Sequence, residues 1–191
     1  MINPAEVTNY NRTRYQLEEF ILFGINVAGK KSSIEAPKLE VFIERAKNIT
    51  KETLPFNCIR KLIELGRLQE IMHWAKLSPY KQRYNSYVAV SKIQDLQTVT
   101  LNKLLEVAGI GFKTARFFLS HSREDFDEPM LDTHILRFLR DQGHKDAPKS
   151  TPSNVGIYNY YANAFKMHAR TLGKSVTDLD LEIWKKYSKT V

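Results

Sequence analysis

Cysteine is nearly absent from this chain of 191 residues, which contains only Cys58. A single cysteine excludes an intrachain disulfide framework, a cysteine-rich zinc site and a four-cysteine iron–sulfur cluster. The five histidines are scattered without ligand spacing, so we expect no protein-bound transition metal. Cys58 lies in a segment with helical apolar spacing, which predicts a thiol in the core.

Long hydrophobic runs are also missing. The longest apolar stretch, residues 20–29, is about half as long as the ~20 residues that a membrane span requires. The polar N-terminal segment contains Glu6 and is not typical of a secretory signal peptide. We therefore expect an intracellular protein that does not contact a membrane.

Strand signals are lacking, and their absence determines the predicted fold class. The sequence has no convincing alternation of apolar and polar residues and no Asn-Gly or Asp-Gly turn. Apolar residues recur instead at helical spacing, which predicts an all-α fold. The predicted elements are helices over 17–25, 36–46 with Pro37 in the first turn, 56–65, 68–77, 80–93, 155–172 and 179–188, and a loop over 143–154 that ends at a cap, Ser153 or Asn154.

Positive charge is in excess, with a formal net charge of +8 and a pI near 9.5. An excess of this size favours an anionic partner, and nucleic acid is the first candidate. The charge alone does not decide the matter, because many basic proteins bind no nucleic acid.

Residues 101–121 contain two short helices joined by a tight turn, Gly109-Ile110-Gly111. Each glycine can adopt a positive φ, and Ile110 can plug between the two helices. The turn leaves backbone N–H groups free at the start of the second helix, where a phosphate group can approach. The alternative is a plain helix corner in which glycine only ends the first helix.

Lys113 is the second residue of the helix that follows this turn. The helix dipole disfavours a positive charge there and favours the neutral amine, which is the form that attacks carbon. Lys113 is therefore a candidate nucleophile. The alternative is an exposed lysine that contacts phosphate.

Asp132 comes nineteen residues after Lys113, directly before an amphipathic helix with Ile135, Leu136 and Leu139 on its inner face. This position predicts a helix N-cap. A second role as the charged partner of Lys113 is compatible with capping, because N–H groups that bond a carboxylate stabilise its charge and fix its direction.

These two segments carry a family resemblance. Residues 107–115 (VAGIGFKTA) and 131–135 (LDTHI) resemble the helix-hairpin-helix motif and downstream aspartate of the endonuclease III (HhH-GPD) superfamily of DNA glycosylases. The segments around Asn26 and Trp184 are similar to those of compact 8-oxoguanine DNA glycosylase/AP lyases without an iron–sulfur cluster. Those proteins often end in a lysine, whereas this chain ends Lys189-Thr190-Val191.

The resemblance implies a two-lobed fold with a DNA cleft between the lobes. Residues 30–131 would form a six-helix lobe that contains the helix-hairpin-helix at 101–121, and residues 1–29 with 132–191 would form the terminal lobe. Lys113 would attack the sugar and Asp132 would stabilise the developing charge. The implied reaction removes an oxidised base, with 8-oxoguanine favoured, through a lysine Schiff base and then nicks the strand by β-elimination.

The resemblance also implies the partner, which is double-stranded DNA containing a damaged base, bound by a monomer. Neither an organic cofactor nor an iron–sulfur cluster is needed, although the hairpin carbonyls can hold a monovalent cation. The candidate DNA-binding residues are Gly109, Ile110, Gly111, Thr114, Arg116, Lys30, Arg137 and His134. Asn26 and Trp184 are candidates for the base pocket. Each side chain also has a structural alternative: a solvated or paired charge for the basic residues, a buried cap for Asn26 and a core position for Trp184.

Two other functions remain open at this stage. The first is a helix-hairpin-helix protein that binds DNA without catalysis. The second is a monofunctional glycosylase, or one that acts on another lesion or modified base. The sequence does not distinguish the excised base or the base opposite it.

Overall fold

Helices account for all regular secondary structure in the part of the chain that the computed structural model describes, residues 2–3 and 6–188. The predicted all-α fold class is confirmed. The helices are α1 (Arg14–Asn26), α2 (Ser32–Thr50), α3 (Pro55–Glu64), α4 (Leu68–Trp74), α5 (Tyr80–Val90), α6 (Leu101–Leu105), α7 (Phe112–Ser122), α8 (Thr133–Asp141), α9 (Val155–Thr171) and α10 (Val176–Ser188). Among these described helices, none combines the length and the apolar character that a membrane crossing requires.

Several helices begin where capping chemistry places them. Thr13 and Gln16 form a reciprocal capping box at α1, in which the Thr13 N–H donates to Oε1 of Gln16 at 2.9 Å. Thr100 accepts the N–H of Lys103 at 3.2 Å at the start of α6. Asn154 caps α9, which confirms one of the two predicted caps.

Several helix boundaries differ from the prediction, and two of these differences have a clear physical reason. Helix α2 begins at Ser32, so the expectation that Pro37 lies in its first turn is wrong. Pro37 has no N–H to donate, and the helix continues through it because buried residues on both sides, including Ala36 and Leu39, hold one face against the core. Helix α10 begins at Val176 instead of residue 179, because Val176 is itself buried on that helix.

The chain divides into two compact units, residues 1–110 and 111–191. In the first unit, α1 packs against α2, α3 and α5. The core of this unit contains large side chains that are at most 1% exposed: Phe20, Phe23, Phe42, Phe56 and Tyr87. Cys58 is also 1% exposed, which confirms the predicted core thiol.

The second unit is built mainly from α8, α9 and α10, which pack against one another. Its core includes Leu131, Leu136, Tyr158 and Phe165, all fully buried. Phe112, in the first turn of α7, packs against this core, and its ring centroid lies 5.0 Å from that of Tyr158. The start of α7 is therefore held against the core of the second unit.

The compact units have other bounds than the predicted lobes, 30–131 and 1–29 with 132–191, and those lobes stay a prediction. Helix α1 belongs with residues 30–110, and α7 belongs with the C-terminal helices. The boundary falls between Ile110 and Gly111, inside the predicted hairpin. The two-lobed arrangement with a DNA cleft stays a prediction.

Candidate active site

The turn between α6 and α7 uses its two glycines differently. Gly109 has a φ of 83°, in the left-handed region that favours glycine. A Cβ atom added to Gly109 would lie 1.9 Å from Oγ of Ser86, so no larger residue fits. Ile110 is 4% exposed, and its N–H donates to the carbonyl of Val107 at 3.0 Å. The turn is thus closed by backbone conformation and by burial of its apolar residue.

Gly111 is extended, with φ −91° and ψ 178°, so the expectation of a positive φ holds for Gly109 and is wrong for Gly111. A Cβ atom added there would meet no atom within 4 Å. Gly111 is the N-cap of α7 and has no side chain that could bond the first-turn N–H groups. These donors therefore face a position without a side chain, as the predicted phosphate contact requires.

Lys113 and Asp132 lie together in the second unit. The Nζ atom of Lys113 is 3.9 Å from Oδ2 of Asp132. The Lys113 side chain is 54% exposed and that of Asp132 is 16% exposed. The amine is accordingly open to a large ligand, while the carboxylate is mostly shielded from water.

The two carboxylate oxygens of Asp132 make different contacts. Its Oδ1 atom accepts the N–H groups of His134 at 2.8 Å and Ile135 at 3.0 Å, which confirms the predicted N-cap of α8. The Oδ2 atom is left for Lys113. Because the cap fixes the carboxylate plane, the charge is directed toward the amine with little freedom to rotate.

Asp180 on α10 adds a second carboxylate to this region, which the sequence reasoning missed. The pKa of Asp180 is raised to about 7, chiefly by burial and then by the charge of Asp132, while the charge of Lys113 opposes both. An acid that titrates near neutral pH beside two charged groups is typical of functional sites. Asp180 could have been found from its position between Leu179 and Ile183, which are both buried on the inner face of α10.

Three of the predicted phosphate-binding residues lie on or near α7 and α8. Thr114 is 9% exposed and Arg116 is 5% exposed, and the Arg116 guanidinium carbon lies 4.3 Å from the centroid of the Tyr158 ring. Arg137 is exposed, with its guanidinium 4.7 Å from the Tyr187 ring centroid. Arg116 is thus packed inside the unit, whereas Arg137 remains open to a ligand.

Two further predicted DNA contacts have partners within their own unit. Lys30 donates to the Ser78 carbonyl at 2.6 Å, although its side chain is exposed. His134 is half-buried, and its backbone N–H bonds Asp132. DNA contacts by these residues stay predictions.

Asn26 lies in the interior of the first unit and is fully buried. Its Nδ2 donates to the hydroxyl of Tyr87 at 2.8 Å, and its carbonyl accepts from Nη2 of Arg83 at 2.6 Å. Arg83 is in turn 2.7 Å from a carboxylate oxygen of Glu35. This network supports the structural alternative, and a role in the base pocket stays a prediction.

Trp184 is 52% exposed, so its interpretation as a core residue is wrong. The inner face of α10 is formed by Leu179, Ile183 and Tyr187, and a residue one position after Ile183 turns away from that face. An exposed indole is free to stack on a base, but base-pocket contact stays a prediction. The C-terminal residues 189–191 lie outside the described part of the chain.

A metal or cation site is not defined by the side chains. Among the described residues, no group of three or more His, Cys, Asp or Glu side chains is arranged to hold a metal ion. The Val107 carbonyl in the hairpin accepts the N–H of Ile110 and has a second lone pair. A monovalent cation at the hairpin stays a prediction.

Comparison with known proteins supports the resemblance carried by the two motifs. The 8-oxoguanine DNA glycosylase/AP lyase of Saccharolobus solfataricus is 34% identical over 95 residues, which cover 50% of this chain and 45% of the relative. Proteins of the same name from Saccharolobus islandicus strains are 33% identical over 95 residues, with the same coverage. Half of this chain resembles 8-oxoguanine DNA glycosylase/AP lyases. No family model and no solved structure matches the chain.

The chain thus aligns with about half the length of the curated relatives that it matches. Over that half, the resemblance expected from the sequence is confirmed. The activity, substrate and partner named for the relatives describe those proteins. For this chain, their transfer depends on the geometry at Lys113 and Asp132.

Proposed function

We propose that this protein is a bifunctional DNA glycosylase/AP lyase that excises an oxidised base, with 8-oxoguanine favoured. The observation that carries the proposal is the pairing of an exposed amine, Lys113, with a shielded and capped carboxylate, Asp132, at 3.9 Å. Lys113 stands in the first turn of α7, directly after a position without a side chain at Gly111, and Asp132 caps the start of α8. The names of the relatives support the same activity.

The hairpin binds DNA through its phosphate groups, independently of the base sequence. Phosphate binds the first-turn N–H groups of α7, where the helix dipole favours negative charge. A nucleobase inside the duplex is out of reach of Lys113, so the damaged nucleotide leaves the stack at a cost of a few kcal/mol. The net charge of +8 favours this encounter with DNA.

Excision begins with the neutral amine of Lys113. Its lone pair forms a bond to C1′ of the sugar while the bond from C1′ to the base breaks, and the base leaves with that electron pair and takes up a proton. Positive charge develops on the sugar during this step. The Asp132 carboxylate stabilises that charge, since it is shielded from water and held in a fixed direction.

Strand cleavage follows from the same covalent bond. The nitrogen bonded to C1′ then gives up one proton, and its lone pair forms a protonated imine with C1′ as the C1′–O4′ bond breaks and the ring oxygen takes up that proton. The imine acidifies a proton on C2′, and its removal expels the 3′ phosphate with the electron pair of the broken C–O bond. Hydrolysis of the imine then returns the amine. A hairpin cation, when bound, would supply electrostatic support for the neighbouring phosphate.

The base preference rests on two features. The chain lacks the cysteines of an iron–sulfur cluster yet has a lysine at the position of the nucleophile. The relatives over half of the chain are named for 8-oxoguanine. Selectivity against undamaged guanine requires polar groups that are left unpaired by the wrong base, each worth about 1–3 kcal/mol.

The deciding experiment is a panel of matched duplexes that contain 8-oxoguanine, thymine glycol, dihydrouracil, uracil or normal bases. Base release and strand nicking are measured with and without borohydride, which reduces an imine to a stable protein–DNA adduct. We expect fastest release from 8-oxoguanine, together with nicking and an adduct.

Other outcomes would redirect the proposal. Faster release of an oxidised pyrimidine would change the assigned lesion. Base release without nicking or an adduct would indicate a monofunctional glycosylase. Lesion-independent binding without release, nicking or an adduct would indicate a DNA-binding protein and overturn the proposal.

A further inference from the structure

Residues 126–132, which lead from α7 to α8, have no regular secondary structure, yet they end in Asp132. Backbone groups outside helices and strands need other hydrogen-bond partners when they are buried. Near Asp132 those partners are side chains. The hydroxyl of Tyr158 accepts the N–H of Leu131 at 3.1 Å and donates to the carbonyl of Pro129 at 2.8 Å.

A second hydroxyl holds the same short segment. Oγ1 of Thr151 donates to the carbonyl of Leu131 at 2.7 Å. Both backbone groups of Leu131 are therefore bonded by side chains from other parts of the second unit, Tyr158 on α9 and Thr151 in the preceding loop. The residue that follows Leu131 is Asp132, whose carboxylate position depends on this backbone.

Tyr158 also contacts the helix that carries Lys113. Its ring centroid lies 5.0 Å from that of Phe112, the residue before Lys113, and the Arg116 guanidinium lies 4.3 Å from the Tyr158 ring. One buried side chain therefore contacts both elements of the proposed catalytic pair. Its ring packs against α7, and its hydroxyl bonds the backbone of Pro129 and Leu131, which precede Asp132.

The chemical state of Tyr158 suits this role. Burial raises the pKa of Tyr158 to about 12, although the charge of Arg116 opposes the shift. The phenol stays neutral throughout the pH range of an assay, so it can donate one hydrogen bond and accept another. A phenolate could not donate to the Pro129 carbonyl.

We propose that Tyr158 and Thr151 are positioning residues, whose hydroxyl groups fix residues 129–131 and thereby the distance between Asp132 and Lys113. The inference rests on the proposed function, since it concerns the rate of base excision. Lys113 is 54% exposed and is not held by packing, so the fixed member of the pair is Asp132. A misplacement of about 1 Å in such a site can lower a rate by about a hundredfold.

The test compares Tyr158→Phe and Thr151→Val with a matched control, Tyr161→Phe. Tyr161 lies on the same helix and is 4% exposed, but its ring packs against His144 and Tyr160 instead of the 129–131 segment. We measure single-turnover base release per folded molecule with enzyme in excess, and DNA affinity separately. Tyr158→Phe should lower the rate by about tenfold to a hundredfold with unchanged affinity, and Thr151→Val should lower it by less.

A double-mutant cycle separates positioning from a merely structural role. If the hydroxyl of Tyr158 acts through Asp132, Tyr158→Phe should cause little further loss in an Asp132→Asn background. Wild-type rates in Tyr158→Phe, or equal losses in both backgrounds, would overturn the inference. If Tyr158→Phe fails to fold, Thr151→Val decides the test by the same two criteria.

Failure of the positioning role and failure of the proposed function give different results in these experiments. An active wild type with unaffected Tyr158→Phe and Thr151→Val variants removes only the positioning role. A wild type that releases no base and forms no adduct on any duplex removes the proposed function, and the positioning role is overturned with it. A loss in Tyr161→Phe equal to that in Tyr158→Phe would show a general effect of helix α9 and would also overturn the inference.

Discussion

The Nζ atom of Lys113 lies 3.9 Å from Oδ2 of Asp132, whereas the other carboxylate oxygen, Oδ1, caps helix α8. The two oxygens thus have separable tasks. Oδ1 needs only to accept hydrogen bonds, and an amide oxygen can do the same. In the proposed reaction, the charge is needed only for the interaction with Lys113 and with the sugar.

Asp132→Asn should therefore fold and yet lose activity. Asparagine is as good an N-cap as aspartate, so we expect little change in the thermal unfolding midpoint. Loss of an electrostatic stabiliser of this kind lowers a rate by about 10²–10³-fold, and single-turnover base release should fall by that factor.

Asp132→Ala is the matched comparison, because it removes both the cap and the charge. It should lose a similar factor in rate and, in addition, about 1 kcal/mol of unfolding free energy. A protein with Asp132→Asn that melts early but turns over normally per folded molecule would show that Asp132 is only a cap.

Lys113→Gln should abolish base release and borohydride trapping together, because both need the amine. DNA affinity should stay within about tenfold, or ~1.4 kcal/mol, since most phosphate contacts are independent of this side chain. Lys61→Gln is the control, an exposed lysine on α3 paired with Glu64 at 2.9 Å. An adduct that still forms at the wild-type rate with Lys113→Gln would assign the nucleophile elsewhere.

Much of this geometry could be predicted from the sequence. The apolar spacing gave the helices, Asn154 and Asp132 were identified as caps, and the motif around Gly109 gave the start of α7 at Phe112. These features are local, since they depend on residues within a few positions along the chain. Local chemistry does not depend on how distant helices pack.

The rest depended on contacts between distant segments. Pro37 suggested a helix start, but packing of the α2 face extends the helix to Ser32. Tyr158 is one of several aromatic residues along α9, and nothing along the chain indicates that its hydroxyl bonds Leu131, 27 residues away. Asp180 was visible only as one charge on an amphipathic helix. Its pKa depends on burial and on groups in α7 and at the start of α8.

Gly111→Ala should separate DNA binding from stability. The backbone at φ −91° and ψ 178° is open to any residue, and an added Cβ meets nothing within 4 Å. Loss of glycine lowers the entropy of the unfolded chain, which adds about 0.4–1 kcal/mol of stability, but alanine is a poorer N-cap than glycine, so the two effects oppose each other and the unfolding free energy should change by less than about 1 kcal/mol. Binding should weaken equally for lesion-containing and undamaged duplexes, and its salt dependence should flatten, because phosphate contacts carry no base information.

Gly109→Ala is the contrasting variant. Gly109 has a positive φ and no room for a Cβ beside Ser86, so this change should lower stability before DNA is considered. Denaturant titration and binding isotherms at several salt concentrations measure both effects. If Gly111→Ala weakened only lesion binding, the hairpin would belong to the base pocket and not to the phosphate contact.

Asp180→Asn should stabilise the protein in a pH-dependent way. In the folded chain the pKa of Asp180 is raised to about 7, mainly by burial, from its ordinary value of 3.8. Between these values the unfolded chain releases the proton while the folded chain keeps it, so the folded state loses stability as pH rises, and the loss is complete above pH 7. A neutral amide avoids this loss. The variant should therefore exceed the wild type in unfolding free energy at pH 8, and the difference should shrink as pH falls toward 4.

Asp125→Asn, at an exposed turn, controls for the general effect of removing one negative charge. Equal curves for Asp180→Asn and wild type would show that attraction to Lys113 balances burial and repulsion by Asp132, and a variant that is less stable at pH 8 would show that the attraction outweighs them; either result contradicts the prediction.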